Sequence, residues 1–203
     1  MSGIELATPA ATLIFFVTIG VSLVSLFRVP AIINRFVMRP YLVARGKHLE
    51  TVVTSGFLHG DIAHLAFNMF TFYFFAFTLD RYLGSVKFAM LYFAGLVLSS
   101  TCSVRKHRDN AAYATLGASG AVSAVLFAYI VYFPLTTLVI FPIPVPIPAV
   151  LFAVGYVGYS WWAGQQGKGN INHDAHLCGA FTGLAFVLAT DPAAFGRLAG
   201  LLG

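Results

Sequence analysis

A serine hydroxyl at the start of a helix, and a histidine on a face that can pack against it, are the residue types in this sequence whose pairing could do acyl transfer. The serine is Ser119, within Thr115-Leu116-Gly117-Ala118-Ser119-Gly120-Ala121-Val122-Ser123-Ala124. From there the chain is apolar and helix-compatible to Phe133, and Pro134 closes the run. Gly117 and Gly120 let the backbone turn sharply and let another helix or a substrate come close. The first N–H groups of a helix lack intrahelical partners and sit at the positive end of its dipole, so they favour an oxygen that acquires negative charge. Ser119 is therefore a candidate nucleophile. Serine is also a common N-cap, and small residues also mark helix packing, so this stretch alone does not establish catalysis.

The histidine is His176, which shares a helical face with Gly179 and Gly183 at i, i+3 and i+7. Such a small-residue pair invites a close neighbour, and the Ser119 helix, with Ser123 and Ala124, is the natural one. A second polar group precedes them: His64 and Asn68 are spaced i, i+4, Thr71 continues their face, and Asp61 can cap their helix. Polar side chains inside a membrane are costly and are expected to face a bundle interior or a wet cavity. Hydrogen bonding to a neighbouring helix is the simpler role for them. Asp174 invites reading as the third member of a triad. It lies two residues, or about 200° of helix, from His176, so the side chains point to opposite faces. Helix N-cap is its expected role.

What must position these groups is a membrane bundle. The chain is 59% hydrophobic and 9% charged, whereas soluble domains carry about a quarter charged residues. A spanning helix needs about 17 to 25 residues, and charges bracket uncharged runs of that order. The long run from Asn110 to Gly167 is divided by Pro134, Pro142, Pro144, Pro146 and Pro148. The expected spans are 7–27, 61–79, 87–104, 116–133, 149–163 and 174–190, an all-α six-helix membrane domain over 1–203 with no soluble domain left over. Glu5, and the absence of Lys or Arg before the first run, mark it as a permanent span rather than a cleaved signal.

Between spans, Arg28 to Thr54 interleaves basic and apolar residues, as expected of a segment lying at the interface. Phe141 to Pro148 alternates proline with other residues and is expected to be a stiff, polyproline-like connector. Ala163 to Asn170, rich in glycine, is expected to be a mobile loop, with Gly164 to Asn170 as a movable cap. Cys102 and Cys178 are isolated and are read as buried free thiols. No metal or other cofactor is expected, since no His-Glu-x-x-His occurs. The net charge of +5 is modest and comes from loops, so it marks membrane orientation rather than nucleic-acid binding.

With these residues in hand, the sequence resembles the rhomboid intramembrane serine proteases, in their minimal six-span bacterial form. The resemblance rests on Gly-Ala-Ser-Gly at Gly117 to Gly120, Ala-His-x-x-Gly-x-x-x-Gly at Ala175 to Gly183, and His-x-x-x-Asn at His64 to Asn68. It covers about Thr54 to Ala189. It implies a Ser-His dyad, with Ser119 as nucleophile and His176 as general base and then acid. His64, Asn68 and the Ser119 N–H would form the oxyanion hole, and Gly179 and Gly183 would hold the fourth and sixth spans together. The implied substrates are single-span membrane proteins in the lipid bilayer. A catalytically inactive rhomboid-like protein that binds transmembrane helices is the alternative.

Two features depart from the resemblance. Rhomboids often carry an aromatic four residues after the serine, on which the histidine stacks, and Ser123 stands there; the Trp-Arg pair of the first loop is also missing. Orientation divides the arguments. The first, third and fifth loops hold nine Lys and Arg against three on the opposite side, which places the Ser119 end in the cytoplasm. The resemblance implies a bacterial inner membrane with the site opening outward, and the interfacial arginines of the first loop can snorkel to either side. The outward orientation is the one expected.

Overall fold

The computed structural model describes residues 8–140, 143–166 and 172–202. It is mostly helical. Six longer helices fall over the six apolar runs: α1 (Pro9–Phe27), α5 (Ile62–Leu83), α6 (Ser85–His107), α7 (Ser119–Tyr132), α8 (Ala149–Gln166) and α9 (His173–Thr190). The short helices α2 (Ala31–Phe36), α3 (Pro40–Val43) and α4 (Thr51–Thr54) lie between α1 and α5, and α10 (Ala193–Leu202) follows α9. Among the described residues, α1, α5 and α6 are each long and apolar enough to cross a membrane, and α9 with α10, bent by 110°, makes a fourth candidate.

The helix limits follow from local chemistry. Pro9 opens α1 in the first turn, where no N–H is needed. Asp61 caps α5 by accepting from the His64 N–H at 2.7 Å. Gly84, at φ 80°, turns the chain between α5 and α6. Asp80, 1% exposed inside α5, accepts from the Ala11 N–H at 2.8 Å and from the Ser85 hydroxyl at 2.6 Å. Its carboxylate thereby satisfies an orphan donor at the start of α1 and joins three helices.

The core centres on α7, whose side chains are buried from Gly120 to Val131. Helices α5, α6 and α9 surround it, and α1 packs outside against α5 and α6 through Ala11, Ile14 and Phe72. The segment after α1 is tied down at Met38, which exchanges both backbone hydrogen bonds with Thr115 at 3.0 and 2.9 Å. Arg45 adds a bond to the Arg108 carbonyl at 2.9 Å while its guanidinium lies over the Tyr41 ring.

Two expectations are corrected. The proline-rich connector is not a lone polyproline segment: β1 (Thr137–Ile140) and β2 (Ile143–Pro148) pair antiparallel, with Thr137 opposite Pro148 and Val139 opposite Pro146. Prolines at every second residue put all their missing donors on one edge, so the other edge can still pair. Phe141 and Pro142 lie outside the described residues. Cys102 and Cys178 are not free thiols but a disulfide joining α6 to α9, with Cα atoms 6.5 Å apart. The two helices lie side by side along α7, which brings together cysteines 76 residues apart.

Candidate active site

Ser119 is the first residue of α7 and is half-buried. Gly117 ahead of it has φ 119°, a conformation that favours glycine, and its N–H donates to the Ser55 carbonyl at 3.0 Å. A Cβ built on Gly117 would stand 2.7 Å from His64 Cε1 and 2.9 Å from its Nε2. The missing side chain is what seats the His64 ring two residues from Ser119. Asn68, one turn further along α5 and 4% exposed, uses one amide N–H on the His64 carbonyl at 3.0 Å and keeps another. Thr71 turns back to its own helix, donating to the Phe67 carbonyl. A cavity of about 20 Å³ adjoins Ser119, lined by Ser99, Ser103, Thr115 and Asn172 among others. That is room for about one water, with several polar partners.

Helix α9 meets α7 backbone to backbone. A Cβ on Gly179 would overlap the Gly120 carbonyl, one on Gly183 the Ala124 carbonyl, and one on Gly120 the Ser99 hydroxyl of α6. Three glycines therefore set the spacing of α6, α7 and α9. His176 lies one turn before Gly179, so the turns that bear Ser119 and His176 adjoin. No hydrogen bond joins the two side chains here, and such bonds in ligand-free enzymes are often long and tighten with substrate.

Around His176 stand rings that the sequence did not single out. The Tyr156 ring of α8 lies near-parallel to the imidazole, at 6.4 Å and 21°. Its hydroxyl shares a 2.8 Å hydrogen bond with Ser123. His173 meets His176 edge-on at 6.1 Å, and Tyr159 meets His173 at 5.7 Å. His59 was also missed. It is fully buried, its Nδ1 lies 2.9 Å from the Ser22 hydroxyl of α1, and its ring meets His64 edge-on at 4.9 Å. Ser22 spends its own hydrogen on the Phe57 carbonyl, so His59 Nδ1 is the donor and Nε2 is left without a partner. Burial, with His64 beside it, pushes the His59 imidazole down to about 3, so it is neutral. The signal available was its place in Phe57-Leu58-His59, just ahead of the capped helix.

Asp174 pairs with Lys106 of α6. Its expected N-cap role belongs instead to Asn172, whose side chain accepts from the Ala175 N–H at 3.1 Å and donates to Ser103 Oγ at 2.7 Å. The chain enters α9 one residue earlier than expected, which puts Asp174 inside the first turn. Asp174→Asn removes a partly exposed ion pair worth about 0 to 1 kcal/mol, and is expected to keep most activity. A loss near that of His176→Ala in the same cleavage assay would give Asp174 a place in the chemistry. The cap proposed at Gly164 to Asn170 lies outside the described residues from Gly167 onward.

Residues 46–191 match a family model described as Rhomboid domain. The chain is similar to RHOMBOID-like protein 12, mitochondrial, of Arabidopsis thaliana, 31% identical over 166 residues that cover 72% of this chain and 49% of the relative. It is similar to Rhomboid protein 1, mitochondrial, of Saccharomyces cerevisiae, 28% identical over 139 residues, 67% of this chain and 40% of the relative. It is also similar to Presenilin-associated rhomboid-like protein A, mitochondrial, of Danio rerio, 30% identical over 169 residues, 79% of this chain and 43% of the relative. The chain thus spans half or less of the length of these relatives. Their mitochondrial names overturn the expectation of a bacterial inner membrane. The expectation failed because short loops and apolar runs look alike in any bilayer.

Proposed function

The chain belongs to the rhomboid family, and on that premise we propose that it is an intramembrane serine endopeptidase working through a Ser119–His176 dyad. In this reading α1, α5, α6, α7, α8 and α9 are six membrane spans, and the substrates are single-span membrane proteins. The observation that carries it is the seam of Gly120 against Gly179, which brings the turn of Ser119, the first residue of α7, beside the turn of His176 in an apolar bundle.

His176 takes the Ser119 proton as the hydroxyl attacks a peptide carbonyl, then returns it to the leaving amine. The tetrahedral oxyanion is met by the Ser119 N–H, the His64 ring beside Gly117, and the remaining Asn68 N–H. Gly117 serves by leaving room for His64. Water then releases the acyl-enzyme, and the polar cavity beside Ser119 supports this by offering it a place to wait.

Purified protein is expected to react covalently with a fluorophosphonate probe, and Ser119→Ala is expected not to. Equal labelling of both would remove the serine from the chemistry; no labelling of either, with transmembrane helices still bound, would favour an inactive binding protein. His64→Ala and Asn68→Ala are expected to lower kcat about tenfold or more, on the order of 1.4 kcal/mol, with KM nearly unchanged. A rise in KM with kcat held would make them substrate contacts.

A further inference from the structure

Resting on the dyad proposed above, we infer that Tyr156, locked by Ser123, is the positioning residue that sets the plane of the His176 ring. A general base works only when its lone pair is aimed at the proton it takes, and an imidazole on a single helix can still rotate about two side-chain bonds. His176 has no hydrogen-bonded orienting partner among the described residues, and Asp174, the only nearby carboxylate of its helix, is spent on Lys106. Aromatic contact takes its place. Tyr156 lies 6.4 Å away at 21°, within the range of offset stacking, and His173 closes the other side edge-on.

Tyr156 is itself held on three sides. Phe127 of α7 and Phe152 of α8 meet its ring at 5.4 and 5.7 Å. The Ser123 hydroxyl, 4% exposed and one helical turn beyond Ser119, fixes its far end at 2.8 Å. A tyrosine so pinned cannot swing without breaking a part-buried hydrogen bond. Ser123 therefore serves catalysis through Tyr156: one helix carries both the nucleophile and the anchor of the residue that aims its base. Helix α8 thereby becomes part of the machinery, although it contributes no group to bond making.

The test is a kinetic set on the full chain in detergent micelles, with cleavage of a model transmembrane substrate and the rate of fluorophosphonate labelling read together. Tyr156→Ala is expected to lower kcat about tenfold, the upper size of one aromatic pair, with little change in KM and an equal slowing of labelling. Tyr156→Phe and Ser123→Ala are each expected to cost about threefold, the size of one hydrogen bond. Because they remove the same bond, the double variant is expected to lose no more than either single. Losses that multiply, or a Tyr156→Ala effect confined to KM with labelling unchanged, would overturn the inference. If Tyr156→Ala fails to fold, the Phe and Ala cycle still decides. Inertness of the wild type toward probe and substrate would refute the dyad itself, a separate result.

Discussion

Ser119→Ala and His176→Ala are each expected to abolish cleavage of a transmembrane substrate, a loss on the order of a millionfold in kcat if the pair acts as a unit, as in a soluble serine protease. The reason is chemical. A serine hydroxyl is a poor nucleophile until a base takes its proton, and an imidazole with no proton to take has nothing to do. The double variant is expected to be no worse than either single. Both side chains are only partly buried, so thermal unfolding in detergent is expected to stay near that of the wild type. Normal turnover by either variant ends the protease reading.

The second large effect is structural. Gly179→Ala and Gly183→Ala each drive a methyl into the backbone of α7, at Gly120 and Ala124, where no flexible side chain can yield. The expected cost is about 3 kcal/mol, the upper end for overpacking, together with lost activity as the turns bearing Ser119 and His176 part. Gly155→Ala and Gly158→Ala are the controls, since a Cβ at either meets nothing within 4 Å. They are expected to leave stability unchanged or raise it by about 1 kcal/mol, the helix propensity gained. Unfolding curves of the four variants separate the cases. If Gly179→Ala unfolds with the wild type, the seam is looser than the backbone geometry requires.

What the sequence revealed, and what it withheld, follows one rule. Ser119 was legible because glycines punctuate the chain on either side of it and an uncharged run follows. Asp61 was legible because a cap sits beside the helix it caps. The meeting of α7 and α9 was legible because small residues repeat at helical spacing, and backbone contact needs nothing else. Tyr156, His59, Asp80 and the disulfide were not, because each acts on a partner far away in sequence: His176, Ser22, Ala11, Cys178. Nothing in Gly155-Tyr156-Val157 distinguishes that tyrosine from the other aromatics of an aromatic-rich chain. Ser123 was read as a small packing residue and as a missing aromatic; its hydroxyl acquires a purpose once α8 stands opposite.

The bond between Cys102 and Cys178 makes the chain a closed ring over that interval. Ser119, the β-ribbon, Tyr156 and His176 all fall within it, while His64 and Asn68 remain on the open arm that enters the ring. A single backbone break between α7 and α9 would therefore open the ring without releasing a fragment. Ser119, Tyr156 and His176 would still belong to one covalent molecule, held together across the break by the disulfide.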